Sequence, residues 1–447
     1  MTEKKHLFGM RAEERERLLQ SMRGAKPEPR RDVTPQYSPD LTNFATLPQY
    51  TQVQVEKAVC KKLGIEEPYY ICHDGLSQEV AHINGRAYVN FSCYDYLGLN
   101  GDPRIMQAVQ DALARYGVSA SASRLTAGER PPHRALEEAL AAIYGTEDCL
   151  CFVSGHGTNV STIASVMGSR DVIFYDQASH NSLIMGAALS QAARFSYPNN
   201  DCDALEQSLR THRASFQRAM IVTEGLFGMD GVITNLPRLL ELKEQYACFL
   251  MVDEAHSLGT VGKYGHGVGE HFGIHKERVD IWMGTLSKTL CGCGGYIAGT
   301  KALIDILRYE APGFVYSVGM PPLLACASLC ALDCMEKEPW RVAAIQEKSQ
   351  TMLSLAHEAG LDTGKADGYA VIPILVGDSV TCVLLAAMLK EEGILTLPII
   401  YPGVQEGRAR LRFFVSARHT DLQIKEAIAT CAKLLPRARA NAKRAAG

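Results

Sequence analysis

The sequence predicts an α/β protein with a mainly parallel central sheet, helices on both faces of that sheet, and a smaller α+β domain at its end. Five short apolar runs end in polar loops, and each loop is followed by a helical pattern, which is typical of buried parallel strands. In the last part of the chain, apolar runs at 369–376 and 410–416 flank one helical stretch. The five runs begin at Asp148, Ile173, Arg218, Phe249 and Ile281.

Composition places the chain among ordinary globular proteins. Its 447 residues are long enough for two domains, and 47% of them are hydrophobic while 21% are charged. A net charge of −3 gives no indication of a nucleic-acid partner. No apolar run reaches the length of a membrane span, and the first residues contain no signal-peptide core. We therefore expect a cytoplasmic enzyme with no membrane span.

The 14 cysteines are scattered through apolar segments without a C-x-x-C pair. This distribution predicts reduced, mostly buried thiols rather than a disulfide framework. Cys326, Cys330 and Cys334 recur every four residues and would share one face of a helix. Because no histidine or acidic residue completes that stripe at ligand spacing, we predict no metal site.

A carboxylate and a lysine follow two of the apolar runs. Phe249–Val252 ends in Asp253, and Ile281–Met283 leads into Lys288. Ligands of open α/β sheets bind at the carboxyl ends of the strands. Considered alone, the acid could belong to a solvated turn and the lysine could lie on the surface. Pyridoxal phosphate (PLP) chemistry needs this same pair, because a lysine forms a Schiff base with the aldehyde while a carboxylate pairs with the pyridine nitrogen.

The segments VDEAHSLG, GTLSKTL and GGYIAG resemble the α-oxoamine synthases, a family of fold-type I PLP-dependent transferases. The resemblance extends from about Tyr88 to about Leu435. The family includes serine palmitoyltransferase, 8-amino-7-oxononanoate synthase and 5-aminolevulinate synthase. The resemblance implies that Lys288 carries the cofactor, that Asp253 pairs with its pyridine nitrogen, and that His256 contacts its phenolic oxygen or the substrate.

A glycine-rich turn after the first apolar run matches the place where this family holds the cofactor phosphate. Glycines let the backbone approach closely, and free N–H groups at the start of a helix attract phosphate. Hydroxyl groups near Lys288 would lie at the same end of the cofactor. The residues expected at the phosphate are Gly155, His156, Gly157, Thr285 and Ser287.

Four further positions match cofactor contacts of the family. His180, in a D-x-x-x-H-x-S segment, would stack on the pyridine ring, although such polar clusters are also common helix caps. Glu224 would support residues that contact the cofactor without contacting the cofactor itself. Gly228 stands where the family usually has a serine that contacts the cofactor, so water or a neighbouring group would have to replace that contact. Ser317 would reach the phosphate in the partner subunit, which implies a homodimer with shared active sites.

Two residues match the family's substrate contacts. Tyr94 would stand at the mouth of the site, where serine palmitoyltransferases also have tyrosine. Arg412 would bind the substrate carboxylate, a role that suits a planar and permanently charged guanidinium. Without the resemblance, the arginines around it would indicate a solvated edge strand. Ile400 stands where serine palmitoyltransferases carry a further arginine, which weakens that particular assignment.

The resemblance implies a decarboxylative condensation of an amino acid with an acyl thioester, giving an α-aminoketone, carbon dioxide and a free thiol. Lys288, His180, Asp253 and His256 are the expected catalytic residues. Coenzyme A and an acyl carrier protein both remain possible donors. The sequence is most similar to synthases of polyketide or other secondary-metabolite assembly. The alternatives are another fold-type I enzyme such as an aminotransferase, or a scaffold subunit, although scaffold subunits lack the lysine.

We predict four segments along the chain. Residues 1–48 form an N-terminal extension, with a helical pattern at 12–22 and a proline- and charge-rich linker at 26–37. This extension is either a flexible tail or a docking segment for a partner protein. The other predicted segments are an N-terminal arm at 49–105, a large PLP-binding domain at 106–322 and a small C-terminal domain at 323–447.

Overall fold

The structure is a computed structural model that describes residues 38–446. The predicted helix at 12–22 and linker at 26–37 lie outside the described residues. The chain divides into two units, and the boundary lies between Lys62 and Leu63. The boundaries predicted at residues 105 and 322 fall within the second unit and stay predictions.

Strands and helices alternate along most of the described chain. The strands are β1 (Val80–Ile83), β2 (Arg86–Asn90), β3 (Asp148–Phe152), β4 (Val172–Asp176), β5 (Ala193–Tyr197), β6 (Ala219–Glu224), β7 (Phe249–Asp253), β8 (Ile281–Thr285), β9 (Gly295–Gly299), β10 (Val371–Gly377), β11 (Ile394–Leu395), β12 (Leu397–Ile399) and β13 (Ala409–Phe414). The helices are α1 (Pro48–Leu63), α2 (Pro103–Tyr116), α3 (Pro131–Tyr144), α4 (Gly155–Val166), α5 (Asn181–Leu189), α6 (Cys202–His212), α7 (Leu236–Gln245), α8 (Val268–His271), α9 (Lys301–Glu310), α10 (Pro312–Val315), α11 (Pro322–Lys337), α12 (Trp340–Glu358), α13 (Ser379–Glu391) and α14 (Asp421–Ala446). Short 3-10 helices span Pro39–Thr42, Phe44–Thr46, Arg213–Ser215 and Lys276–Arg278.

The central sheet has seven strands in the order β3-β9-β8-β7-β6-β4-β5. Strand β9 is antiparallel to both of its neighbours, and every other pair is parallel. Six strands therefore run in one direction, and their carboxyl ends meet at one edge. This mostly parallel sheet confirms the predicted fold class.

Helices cover both faces of this sheet. Alternate residues of a strand point to opposite faces, and the buried side chains fall into two clusters accordingly. Leu150, Met220 and Met251 pack on one side with Ile163 of α4 and Leu183 of α5. The other cluster contains Cys151, Ile221, Leu250 and Trp282 with residues of α3, α7 and α11.

Two small sheets complete the second unit. Strands β10, β13 and β12 form an antiparallel sheet, in which Arg412 is paired with Pro373 and Leu397. Strand β11 pairs in parallel with β2, which joins the region before the large sheet to the region after it. Within residues 38–446, no helix combines the length and the apolar character needed to cross a membrane.

Candidate active site

The predicted acid and lysine lie at the carboxyl edge of the large sheet. Asp253 is the last residue of β7, and it is paired in register with Glu224, the last residue of β6. Lys288 follows β8, the other neighbour of β7. Because the three strands are adjacent and parallel, the fold brings these side chains to one place.

The amine of Lys288 lies against an imidazole. Its Nζ is 2.9 Å from His256 Nε2. Burial lowers the pKa of Lys288 to about 8, and the Arg412 cation acts in the same direction, whereas Asp253 and Glu224 oppose it. Burial also lowers the pKa of His256. The lysine therefore loses its proton much closer to neutral pH than an exposed lysine does.

Asp253 is a buried carboxylate with amide partners. Its Oδ2 accepts a hydrogen bond of 2.9 Å from Asn159 Nδ2, and its Oδ1 accepts one of 2.9 Å from the Ala255 N–H. The Asn159 amide also donates to Ser182 Oγ. Among the residues that the structure describes, no ion pair involves Asp253. A cationic N–H from a bound molecule would therefore find an oriented carboxylate.

The Glu224 side chain is hydrogen-bonded to the backbone of His180. The Glu224 carboxylate accepts from the N–H of His180 and, at 3.1 Å, from the N–H of Gly228. Burial, followed by the neighbouring Asp253, raises the pKa of Glu224 to about 8. His180 Nδ1 lies 2.7 Å from Ser182 Oγ, and His180 caps α5. The sequence offered stacking and helix capping as alternatives; the structure shows that His180 caps the helix, and ring stacking on the cofactor stays a prediction.

The predicted phosphate site is the first turn of α4. Gly155, His156 and Gly157 open this helix, and Ser154 caps it by accepting a hydrogen bond of 3.1 Å from the Gly157 N–H. A Cβ added to Gly155 would lie 3.0 Å from Thr285 Oγ1, so the turn is packed against the end of β8. Thr285 Oγ1 is 2.8 Å from Ser287 Oγ. Helix N–H groups and two hydroxyls therefore face one small region.

Arg412 of β13 and Tyr94 of the loop after β2 approach this cluster from outside the large sheet. Arg412 donates a hydrogen bond of 2.9 Å to the Gly228 carbonyl, and its guanidinium lies over the Phe414 ring at 4.5 Å. Its Nε is buried without a hydrogen-bond partner in the described structure. Tyr94 is half-exposed and packs edge-on against Phe414, and its ring centre is 5.6 Å from Lys288 Nζ.

A pocket of about 450 Å³ opens above Lys288. Its wall combines the loop after β2 with the loop after β8, and Leu397 of β12 adds an apolar side chain. The lining residues are His73, Ser77, Ser92, Cys93, Tyr94, Asp95, Asn100, Ser287, Lys288, Cys291, Gly292 and Leu397.

Gly228 is a point of close contact. A Cβ at this position would lie 2.6 Å from His256 Cδ2 and closer still to Nε2. The serine that the family usually has here would collide with the imidazole in its present position. The glycine that replaces the usual serine therefore leaves room for the His256 ring in this position.

Ser317 is the predicted site residue that the structure places elsewhere. It lines a shallow surface hollow with Ser121, Thr126 and Tyr316. Its expected contact is with a partner subunit, so that role stays a prediction. Arg124, in the segment preceding α3, forms a buried ion pair with Glu137 and a second ion pair with the half-exposed Glu129.

Two residues at the centre of the site had no role assigned from sequence. Asn159 lies in the second turn of α4, and Tyr96 is two residues after Tyr94 in the loop after β2. Tyr96 OH lies 2.7 Å from His256 Nδ1 although 160 positions separate the two residues. A sequence gives no spacing signal for such a contact. For Asn159, the one signal in the sequence is its position about one helical turn after the glycine-rich turn.

Comparison with known proteins agrees with this geometry. The model of the family "Aminotransferase class I and II" matches residues 86–430. The 8-amino-7-oxononanoate synthase of Symbiobacterium thermophilum is 39% identical over 79% of this chain and 89% of its own length. The 4-hydroxy-2,2'-bipyrrole-5-methanol synthase PigH of Serratia sp. is 35% identical over 77% of this chain, which spans 52% of that protein. A serine palmitoyltransferase of Sphingomonas wittichii has a TM-score of 0.83 and 26% identity, with 88% of this chain and 99% of that chain covered.

The chain thus belongs to the aminotransferase class I and II family of PLP-dependent transferases. Within that class it is a member of the α-oxoamine synthase family, as the sequence motifs indicated. The residues present suit the cofactor. The structure contains a buried amine with a lowered pKa, an oriented carboxylate for a ring nitrogen, and a helix start with two hydroxyls for a phosphate.

Proposed function

We propose that this chain is a biosynthetic α-oxoamine synthase in which Lys288 is the catalytic base and an acyl carrier protein presents the thioester. Enzymes of this family join an amino acid to an acyl thioester with loss of carbon dioxide. The observation that carries the assignment of the base is the 2.9 Å contact between Lys288 Nζ and His256 Nε2 beside Asp253.

The cofactor, when bound, supplies a Schiff base and an electron sink for the carbanion at the substrate Cα. Asp253 would hold the proton at the ring nitrogen, and Glu224 would support the loops on either side of it. His180 would cover the ring, and His256 would face its phenolic oxygen. The phosphate would be held by Gly155, His156, Gly157, Thr285, Ser287 and the partner subunit's Ser317.

Lys288 is suited to remove the Cα proton. A base works best when its pKa lies near the working pH, and the pKa of Lys288 is lowered to about 8. As pH rises through this value, the amine changes from ammonium to free base and proton abstraction becomes possible. The rate of Cα deuterium exchange in the amino acid should therefore rise with pH and level off above about 8. Lys288→Ala should abolish the exchange.

Arg412 would bind the α-carboxylate of the amino acid. Its guanidinium is stacked on Phe414, which fixes its orientation. Its buried Nε has no hydrogen-bond partner among the described residues, so it can still donate to a bound carboxylate. Arg412→Lys should raise the KM for the amino acid, because an ammonium cannot form the two parallel hydrogen bonds. The matched control is Arg410→Lys, whose guanidinium is bound to Asp230 instead.

Support for a carrier protein as the acyl donor comes from the N-terminal extension, which we interpret as a docking segment. The similarity to PigH, whose name is that of a bipyrrole synthase, supports a biosynthetic role. We propose a role in polyketide or other secondary-metabolite assembly. The test compares the full chain with a variant that lacks residues 1–48, using the same acyl group on coenzyme A and on a carrier protein. Selective loss of turnover with the carrier substrate supports docking, whereas equal turnover of both forms contradicts it.

We also propose that the protein is a cytoplasmic homodimer. Seven cysteines are buried free thiols, as expected in a reducing compartment: Cys149, Cys151, Cys202, Cys248, Cys334, Cys382 and Cys431. Around Ser317, the exposed side chains of Leu125, Tyr316 and Val318 form an apolar patch. Such patches are typical of protein interfaces. A partner subunit bound there would bring Ser317 close to a neighbouring active site.

A further inference from the structure

Tyr96, His256 and Lys288 form a line of polar groups that the roles above leave partly unexplained. Tyr96 is fully buried, and its hydroxyl lies 2.7 Å from His256 Nδ1. The other ring nitrogen, Nε2, lies 2.9 Å from Lys288 Nζ. One imidazole is therefore held between a phenol and an amine.

The proton positions follow from counting donors and acceptors. His256 Nδ1 is the one hydrogen-bond partner of the Tyr96 hydroxyl among the residues that the structure describes. If Nδ1 carried the proton, the hydroxyl would accept it and would bury its own O–H without an acceptor, which is unfavourable. The hydroxyl is satisfied when it donates to a bare Nδ1. The proton of the neutral imidazole then lies on Nε2.

We propose that Tyr96 is a positioning residue that fixes the tautomer of His256, so that Nε2–H donates to the free amine of Lys288. This inference rests on the proposed role of Lys288 as the base. A hydrogen bond from Nε2–H can be accepted by the amine but not by the ammonium, because only the amine has a lone pair. The relay therefore favours the form of Lys288 that removes a proton.

Other contacts hold the imidazole in this line. Phe414 lies parallel to the ring with a centroid distance of 6.1 Å. Gly228 leaves room for the ring edge, since any Cβ there would overlap it. Burial keeps the imidazole neutral by lowering the pKa of His256, and burial raises the pKa of Tyr96, so the phenol keeps its proton.

Several charges act on the same amine and have to be kept constant in a test. Asp253 and Glu224 favour the ammonium form, and Arg412 disfavours it. His180 and Arg412 also act on the His256 imidazole, and the Tyr94 ring lies beside Lys288 Nζ. Removing one neutral hydroxyl from Tyr96 leaves all of these groups in place, so a change in titration can be assigned to the relay.

The test compares Tyr96→Phe with Tyr144→Phe in the full-length chain after removal of the cofactor. Tyr144 is also fully buried, and its hydroxyl pairs with Tyr296 OH at 2.8 Å, so both variants lose one buried hydrogen bond. The measurement is the rate at which the visible Schiff-base band appears after PLP is added, as a function of pH. This rate follows the fraction of Lys288 that is free amine.

For the wild-type chain and Tyr144→Phe, we expect a half-maximal rate near pH 8. For Tyr96→Phe we expect the midpoint to rise by about one pH unit, with the same plateau at high pH. The midpoint rises because, without the Tyr96 hydroxyl, the His256 proton can move to Nδ1. The bare Nε2 then accepts a hydrogen bond from the Lys288 ammonium and stabilises that charged form. An unchanged midpoint in Tyr96→Phe, or an equal rise in both variants, would overturn the proposal.

A second measurement does not depend on the cofactor. Nitrogen-15 NMR of the histidine rings, with His256 assigned by His256→Gln, reports which ring nitrogen carries the proton. We expect a protonated Nε2 in the wild-type chain and a mixture of tautomers in Tyr96→Phe. A protonated Nδ1 in the wild-type chain would contradict the relay. If the tautomer is as expected but no Schiff-base band appears after PLP is added, the role of Lys288 is contradicted instead.

Discussion

Asn159 is a residue whose importance depends on a single amide group. Its Nδ2 donates to the Asp253 carboxylate and to Ser182 Oγ, and so links the start of α4 to β7 and α5. Its Oδ1 is buried without a partner in the described structure. The amide therefore serves as a donor to the carboxylate that would meet the ring nitrogen of the cofactor.

We predict that Asn159→Leu weakens PLP binding about 10- to 100-fold. Hydrogen bonds to charged groups contribute roughly 1.5–3 kcal/mol, and the leucine cannot hold the Asp253 carboxylate in place. The dissociation constant is measured by titrating the cofactor-free chain with PLP and following absorbance. Asn199→Leu is the control, because that amide also donates to a carboxylate, the one of Asp176. Wild-type affinity in Asn159→Leu would contradict this prediction.

At the scale of elements, five strands of the large sheet could be predicted because they are apolar runs buried on both faces. Two strands were missed for different reasons. Strand β5 is an edge strand in which half-buried and exposed residues alternate. Strand β9 has the sequence GYIAG, and glycine is rare in strands. A Cβ on Gly295 would lie 2.8 Å from Gly155 Cα, so close backbone contact explains this glycine.

The loop after β6 carries the clearest element-scale prediction. Gly228→Ser should displace the His256 ring and separate it from Lys288, because a Cβ would lie within 2.6 Å of His256 Cδ2. The overpacking should destabilise the protein by about 1–3 kcal/mol and raise the pKa of Lys288. Thermal unfolding and the pH dependence of Schiff-base formation measure the two effects.

Gly168→Ser is the matched control for that loop, since the nearest atom to its Cβ would be Asp171 Oδ2 at 3.9 Å. It should leave both the unfolding temperature and the Lys288 titration close to wild type. If Gly228→Ser titrates like this control, then the imidazole is not held by the glycine.

For the whole molecule, the sequence predicted the residues that follow strands, and it could not predict their long-range partners. Asp253, Glu224 and Lys288 could be placed together because parallel strands end at one edge. The contacts of Tyr96 with His256 and of Asn159 with Asp253 join positions 160 and 94 residues apart. Such pairs depend on how loops pack across the sheet edge, and no local pattern encodes that packing.

Ser317 gives the prediction that involves more than one chain. It lies beside the exposed patch of Leu125, Tyr316 and Val318, and it lines a hollow apart from the pocket at Lys288. If the sites are shared, Ser317 of one protomer completes the site that contains Lys288 of the other. Light scattering of the wild-type chain should give twice its 48.9 kDa mass. Tyr316→Asp should shift that mass towards the monomer, while Leu422→Asp, another exposed apolar residue, should not.

Mixed dimers test whether the sites are shared. Lys288→Ala removes the base, and Ser317→Asp places a negative charge where the phosphate of the neighbouring site is expected, so each homodimer should be inactive. In a mixed dimer of the two variants, one site receives a native lysine from one protomer and a native serine from the other, because the interface is symmetric. Such a dimer should regain one of its two sites, measured as carbon dioxide released per dimer. If each site lay within a single protomer, the mixture would stay as inactive as its parents.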